Sequence, residues 1–261
     1  MDEVLRVELQ GRLHQADAAL VTQSAAVKEG EIVFINGRSQ DAELLENIAV
    51  NVHKLGAWPI VGYSSDRMAK RMFFDVPDKY DAQADEVGME IAKLIDVTIS
   101  LGNGTSENLF EGADPQRMAT RGKANAPVAQ AFMDNNVRSV EIGNDLYPTT
   151  WRAERYGMEE GALASTFWNG VNLDYSERQA RGEQLKAALA GGNQMRITNP
   201  NGTDLKVRVQ GRPVLVSDGI ISAEDIKQGG PAASVYLPAR EVFTTPVPGT
   251  AEGKVVHTRS F

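Results

Sequence analysis

The sequence predicts an α/β fold, in which a layered N-terminal domain with a mainly parallel sheet precedes an incomplete, β-rich (α+β) domain. Three observations support this prediction. Short apolar strands alternate with helices over residues 1–190, a long helix closes that region, and hairpin and turn signals dominate residues 191–261. The length of 261 residues is sufficient for one or two domains.

The first βαβ unit is the clearest part of the pattern. The run Ile32–Ile35 is β-branched and aromatic and follows the turn KEGE, which indicates a strand. A helix is predicted next from apolar residues at helical spacing, namely Leu44, Leu45, Ile48, Val52 and Leu55. Gly56 is placed to end this helix, and Trp58–Gly62 reads as the second buried strand.

The same alternation continues through the first half of the chain. Helices are predicted near 87–95 and within 114–134, and strands over 96–101 and 137–142. Helices that connect short apolar strands favour a parallel sheet covered on both faces, because each crossover has to pack back onto the sheet.

After Leu146 the alternation of strands and helices gives way to consecutive predicted helices. Two shorter helices are predicted from PTTWRAERYG and MEEGALASTFWNGV, and a long connector helix begins after Asp174, whose spacing from Glu177 is that of a capping box. Gly191 is placed to end this connector. Beyond it, MRIT and TDLKVRV flank the turn NPNG and predict a hairpin. The predicted domains are therefore residues 1–190 and residues 191–261.

Composition excludes several classes of function. The formal net charge is -8 and the pI is near 5.0, whereas broad nucleic-acid binding requires clustered Lys and Arg. The absence of cysteine excludes disulfides, thiolate metal sites and cysteine nucleophiles. No apolar run is long enough for a membrane span and the N-terminus is not of the signal-peptide type, so the cytoplasm is the expected location.

The common catalytic motifs are also missing from the sequence. None of His14, His53 and His257 begins an H-E-x-x-H motif, and there is no G-x-S-x-G elbow or Walker loop. His14 and His53 are interpreted as structural. The segment LGNGTSE places two glycines after a strand, where a phosphate could bind, but position 107 is Glu instead of a third glycine.

Five segments, taken in order, make the chain resemble the thermophilic aminopeptidase family, the aminopeptidase T type of dinuclear metallo-aminopeptidase. They are VKEGEIVFING, LGAWPIV, YPTTWRAERYGM, NGTDLKVRVQGR and LPAREVFTTPVPGTAEG. The resemblance extends from near residue 15 to the last residue. It implies an N-terminal α/β domain, a C-terminal domain of the catalytic type, a homodimer, peptide substrates and two divalent metal ions, with zinc, cobalt, manganese and magnesium as candidates.

The resemblance also implies one site residue. The glutamate of the family segment that matches LPAREVF is a metal ligand, and here it is Glu241. Two cations about 3.5–4 Å apart can polarise a scissile carbonyl and activate a bridging water, and carboxylates neutralise their charge. His257 lies on the strand-like stretch KVVHTRSF and is a weaker candidate for a second ligand.

Two departures from the family pattern shape the expected function. Arg240 stands where the family usually has glycine, so its guanidinium would lie beside the metals or pair with Glu241. The remaining ligands of the family lie well downstream of this segment, whereas only residues 242–261 follow Glu241. Each dication needs about four or more donors, so a chain that is truncated in this way is expected to show no peptidase activity on its own.

Two alternatives to an aminopeptidase remain open. A related branch of the fold uses a single iron to open dihydroxypyridine rings, so an iron-dependent ring-cleaving dioxygenase is the second enzyme hypothesis. The third hypothesis is a non-catalytic dimerising or binding protein that has kept the α/β domain. Bound metal and ring-cleavage assays would separate the three.

Overall fold

A computed structural model describes residues 20–173, 176–239 and 241–257, with only the backbone described for 176–179. These residues divide into two compact units. The first comprises the chain up to residue 173 together with 219–239, and the second comprises 176–218 together with 241–257. The fold is mixed α/β, with a parallel five-stranded sheet and additional antiparallel sheets, which confirms the predicted class.

The regular elements are numbered in chain order. The strands are β1 (Ile32–Arg38), β2 (Trp58–Ser64), β3 (Val97–Leu101), β4 (Arg138–Ile142), β5 (Gln194–Asn199), β6 (Thr203–Arg208), β7 (Val214–Ser217), β8 (Ser234–Leu237), β9 (Glu241–Thr244) and β10 (Glu252–Lys254). The helices are α1 (Ala42–Lys54), α2 (Asp66–Phe74), α3 (Glu86–Leu94), α4 (Pro115–Asp134), α5 (Thr150–Tyr156), α6 (Glu160–Val171), α7 (Ser176–Ala190) and α8 (Ala223–Gln228).

The first unit is built on a parallel sheet with the strand order β2-β1-β3-β4-β8. The two central strands β1 and β3 bury every second residue, including Val33, Ile35, Val97 and Ile99, which are fully buried. Because the chain runs from β1 outward to β2 and then crosses to β3, the strand order reverses between β1 and β3. In open parallel sheets, that reversal leaves a crevice at the carboxyl ends of the strands.

Helix α1 forms as its apolar spacing predicts. Its buried stripe consists of Leu44, Leu45, Ile48 and Val52, and it packs against β1 and β2. The helix gives way to a turn in which Gly56 has φ of +77°, a conformation that favours glycine because it has no Cβ. Within the helix, the residues that predict it from their spacing are thus the ones that it buries.

Helix α2 is an element that the sequence did not predict. Ser65 caps it by accepting a hydrogen bond from the Met68 amide, and Phe73 is its single buried residue among those described. Met68, Met72 and Phe73 lie at helical spacing, but the helix has only 9 residues, and Met68 and Met72 remain exposed.

A buried carboxylate ties the segment after α2 to α4. Asp81 accepts hydrogen bonds from Arg117 Nε and Arg121 Nε, each at 2.6 Å, and a further one from Arg117 Nη2 at 3.1 Å. Both guanidinium groups also lie over the Phe73 ring, 4.9 and 4.7 Å from its centroid. The hydrogen bonds from Arg117, and after them those from Arg121, lower the pKa of Asp81 to about 2.

This lowered pKa predicts a pH-dependent stability. A carboxylate whose pKa is lower in the folded state than in the unfolded state stabilises the folded state at any pH above its unfolded pKa, which is near 3.9. This stabilisation is lost as the pH falls through the pKa of the folded state, which is about 2 for Asp81. We expect the difference in unfolding free energy between the wild type and Asp81→Asn to be constant above about pH 5 and to shrink towards about pH 2. Urea denaturation at a series of pH values measures it, and a difference that does not change with pH would contradict this role of Asp81.

The segment 219–239 belongs to the first unit, although the sequence analysis grouped it with residues 191–261. Helix α8 begins with a capping box formed by Ser222 and Asp225, and β8 then pairs in parallel with β4, placing Val235 opposite Val140. Val235 and Leu237 are buried, so β8 extends the core of the parallel sheet. Conversely, α7 clusters with the second unit rather than the first.

The second unit contains two antiparallel sheets. The predicted hairpin is present as β5 and β6, and β10 pairs with the other edge of β6. Strands β7 and β9 form a separate two-stranded sheet, against which α7 packs. The capping box predicted for α7 involves Asp174, which lies outside the described residues, as does His14, which was interpreted as structural.

No helix in the described ranges combines the length and apolar character that crossing a bilayer requires.

Candidate functional site

Glu241 is the first residue of β9 and its side chain is exposed. In the antiparallel register it lies opposite Ser217, and the next pair is Val242 with Val216. Since paired residues share a face and successive residues alternate, Glu241 and Val242 project to opposite faces of this sheet. The backbone of Glu241 is therefore fixed by strand pairing, while its carboxylate is accessible.

Helix α7 defines which face Glu241 occupies. A Cβ added to Gly182 of α7 would lie 2.5 Å from Val216 Cγ1, so glycine permits the helix to approach the sheet at this point. Val216 and its partner Val242 thus face the helix. Glu241 lies on the other face, together with Phe243, which is 40% exposed.

His257 is not brought into the same sheet as Glu241. It follows β10, which pairs with β6, whereas β9 pairs with β7. His257 is exposed. Its role as a second ligand stays a prediction, as does that of Glu241. Arg240, which the sequence places beside Glu241, is outside the described residues.

The described residues do not by themselves fit a two-metal centre. In the ranges 20–173, 176–239 and 241–257, no three His, Cys, Asp or Glu side chains lie together in a group that could hold a metal ion. Glu241 offers one carboxylate, and a dication in a protein takes about four or more donors. We therefore derive no catalytic step through a metal from these residues.

The histidine of α1 has a local structural role. His53 Nδ1 lies 3.1 Å from the carbonyl oxygen of Ala57, and the imidazole contacts the Trp58 ring with centroids 5.7 Å apart. These contacts hold the turn between α1 and β2, in agreement with the structural interpretation of the sequence.

The glycine-containing loop after β3 forms a nest of donors, and a carboxylate of the chain itself fills it. Asp66 Oδ2 accepts hydrogen bonds from the Thr105 amide (2.7 Å), the Thr105 hydroxyl (2.9 Å) and the Ser106 amide (3.1 Å). Arg38 Nε donates to Asp66 Oδ1 at 2.7 Å. Burial by itself raises the pKa of Asp66, but the hydrogen bonds from Arg38 and Thr105 bring it below its usual value. The donors that a phosphate would need are thus already used.

Asn103 links the loops after β1 and β3 at the reversal point of the sheet. Its side chain is fully buried, accepts from the Arg38 amide at 2.9 Å, and donates to Asp41 Oδ2 at 2.6 Å and to the Arg38 carbonyl at 3.2 Å. Burial raises the pKa of Asp41, against the effect of hydrogen bonds from Asn103 and Tyr147. Burial also raises the pKa of Tyr147 well above its usual value, and Asp41 adds to this shift.

A buried arginine continues this network to the end of β4. Arg152 donates to the carbonyl oxygens of Gly102 (3.2 Å) and Tyr147 (3.3 Å), and its Nε lies 3.5 Å from Asp145 Oδ1. Nearby, burial raises the pKa of Glu141, while a backbone hydrogen bond from Asn144 opposes the shift. None of these polar residues can be singled out from the sequence, because nothing local marks them as neighbours.

One family profile and two solved structures match this chain. A profile of the thermophilic metalloprotease (M29) family matches residues 10–261. Wild-type AmpT from Thermus thermophilus has a similar structure, with a TM-score of 0.70 and 17% sequence identity, over 94% of this chain and 64% of AmpT. The 2,5-dihydroxypyridine dioxygenase from Pseudomonas putida KT2440 gives a TM-score of 0.54 at 12% identity, over 92% of this chain and 57% of the dioxygenase.

These figures define how far the likeness extends. At such identities the structural matches show a shared fold, and this chain spans 64% of the length of AmpT. No curated protein sequence matches the chain.

Proposed function

The chain belongs to the thermophilic metalloprotease (M29) family, and from this premise we propose that it functions in metal-dependent removal of N-terminal residues from peptides. The observation that carries the proposal is the family match over residues 10–261, which includes the segment LPAREVF with Glu241. The similarity to the AmpT fold supports it.

We assign Glu241 the role of a carboxylate ligand to a divalent cation. Its backbone is held by the pairing of β9 with β7, and its side chain is exposed on the face opposite α7. A ligand on a paired strand keeps its position better than one on a loop, which supports this assignment because metal geometry has to be held closely.

Several finer features belong to the same proposal. The cations are zinc, cobalt, manganese or magnesium, the substrates are peptides, and the protein acts as a homodimer in the cytoplasm. We expect the 261-residue polypeptide alone to hydrolyse no peptide, because a two-metal centre needs more donors than Glu241 and its described neighbours supply.

A cobalt titration tests the assignment of Glu241. The change Glu241→Ala should lower the affinity of the chain for cobalt or zinc by about tenfold or more, since even loss of a residue that only supports a ligand costs about 10–100-fold. Glu252→Ala is the matched control, because Glu252 is an exposed glutamate at the start of β10, in the other sheet. Equal affinity in the wild type and Glu241→Ala would show that the site is wrong.

Hydrolysis of a leucine anilide with added cobalt or zinc is measured in parallel. Turnover by the 261-residue chain would contradict its expected inactivity. If such turnover survives Glu241→Ala, the assignment of this residue fails as well.

The shared fold of the Pseudomonas dioxygenase favours one further candidate, iron-dependent ring opening of a dihydroxypyridine. Iron binding together with ring cleavage would support it over peptide hydrolysis. A chain that binds neither zinc, cobalt nor iron would instead support a non-catalytic binding protein built on this fold.

A further inference from the structure

The chain contains four Asn–Gly pairs, and the structure places them in four different settings. They are Asn36–Gly37, Asn103–Gly104, Asn169–Gly170 and Asn201–Gly202. In such a pair, the backbone nitrogen of glycine can attack the asparagine side-chain amide, because no Cβ hinders its approach. The reaction needs rotation of the backbone at the pair, so the local structure decides which pair reacts.

Three of the four pairs are held against this rotation. Asn36 lies within β1, with Gly62 of β2 on one side and Ser100 of β3 on the other. Asn103 is fully buried, and its side-chain amide makes the three hydrogen bonds described above. Asn169 lies within α6, where the helical hydrogen bonds fix the backbone.

The fourth pair occupies the exposed turn between β5 and β6. Asn201 and Gly202 follow the end of β5 and are both exposed. The Gly202 amide makes a single backbone hydrogen bond, to Asn199 O at 3.0 Å, and Gly202 has φ of +95°. The Thr203 amide donates to Asn201 Oδ1 at 3.0 Å, where it would stabilise the negative charge that develops on this oxygen during attack.

We propose that Asn201 is a site of spontaneous deamidation. The Gly202 nitrogen gives its proton to water and forms a bond to Asn201 Cγ, while Nδ2 takes up a proton from water, the bond from Cγ to Nδ2 breaks and ammonia leaves. The five-membered imide then takes up one water and opens to aspartate or isoaspartate. Water is the only co-reactant, and no oxidation or reduction is involved.

This modification removes a hydrogen bond between the β5–β6 turn and the residues that follow β10. Asn201 Nδ2 donates to the Val256 carbonyl at 2.9 Å, and the Val256 amide donates to the Thr203 hydroxyl at 3.1 Å. Deamidation replaces the Nδ2 donor with a carboxylate oxygen that faces the Val256 carbonyl and adds one negative charge. Two acceptors then face each other, so residues 255–257, which follow β10, lose one of their ties to the hairpin.

Peptide mapping by mass spectrometry tests the site with its own internal controls. The full chain is incubated at mildly alkaline pH, and the amide-to-acid mass change is followed at all four pairs. Asn201 should convert at least about tenfold faster than the other three, which corresponds to about 1.4 kcal/mol of additional opening free energy at those positions. An equal or faster rate at Asn36, Asn103 or Asn169 would overturn the proposal.

Two variants test the consequence of the modification. Asn201→Asp should increase hydrogen exchange at the Val256 amide, whereas Asn201→Gln, which keeps an amide donor, should block the mass change at this position. If the Val256 amide exchanges equally in Asn201→Asp and in the unmodified wild type, the structural effect is refuted.

Discussion

Replacing Arg138 with methionine should lower the free energy of unfolding of the first unit by about 3–5 kcal/mol, because it removes one partner of a buried ion pair. Arg138 is 6% exposed, its Nη1 donates to Glu31 Oε1 at 3.1 Å, and its Nη2 donates to Glu31 Oε2. Its Nε also donates to the Ala25 carbonyl at 3.2 Å. Methionine would fill much of the volume but leave the Glu31 carboxylate largely buried without its cation.

Urea denaturation followed by tryptophan fluorescence reports the loss of stability of the first structural unit. The 3 tryptophans of the chain, Trp58, Trp151 and Trp168, all belong to the first unit. The matched control is Arg71→Met, which breaks the exposed i,i+4 pair with Asp75 and should cost far less, because solvent screens this pair. If the two arginine variants lost equal stability, Arg138 could not anchor Glu31 as described.

Asn103→Ala should cost the first unit about 2–4 kcal/mol, because it leaves several buried polar groups without partners. The substitution removes the acceptor for the Arg38 amide and the donors to the Arg38 carbonyl and Asp41. It also leaves a small cavity between the loops after β1 and β3. The loss should appear in the same urea denaturation experiment.

The control for this prediction is an exposed asparagine whose side chain makes one partly buried hydrogen bond. Asn135 donates one hydrogen bond, to the Ala92 carbonyl at 2.9 Å, so Asn135→Ala should cost about 0.5–1.5 kcal/mol. An Asn103→Ala variant no less stable than Asn135→Ala would refute the bridging role of Asn103. A crystal structure of Asn103→Ala with an ordered water in the side-chain position would explain a smaller loss.

Local sequence accounts for the elements whose signals come from neighbouring residues. The apolar stripe of α1 and its terminating Gly56 predict a helix that is present, and the turn NPNG predicts the hairpin of β5 and β6. Helix α2 was not predicted, since it has only 9 residues and its apolar side chains Met68 and Met72 are exposed, which leaves Phe73 alone in the core. Periodicity fails where a helix contributes so little to the core.

The place of β8 could not be predicted in the same way. It is a strand of 4 residues that follows the first strands of the second unit, yet its partner is β4, almost a hundred positions earlier. The β-rich region predicted from the sequence therefore includes β8. Pairing with β4 buries Val235 and Leu237 in the parallel sheet, and this burial favours the distant partner.

For the candidate metal ligand, too, the sequence and the structure supply different information. The segment LPAREVF identifies Glu241 through its resemblance to a family, while the exposed position opposite Ser217 comes from the structure. Its chemical role stays a prediction, because a metal centre is defined by several ligands that meet in space. No local pattern in the described residues assembles them.

By itself, the sequence determined the alternation of strands and helices, the hairpin, and the family to which the chain belongs, since these depend on neighbouring residues and on ordered segments. Only the tertiary structure decided that Arg38, Asp66, Asn103 and Arg152 form one polar network at the carboxyl ends of the parallel strands. These residues are far apart along the chain, and they meet because parallel strands all end at the same edge of the sheet.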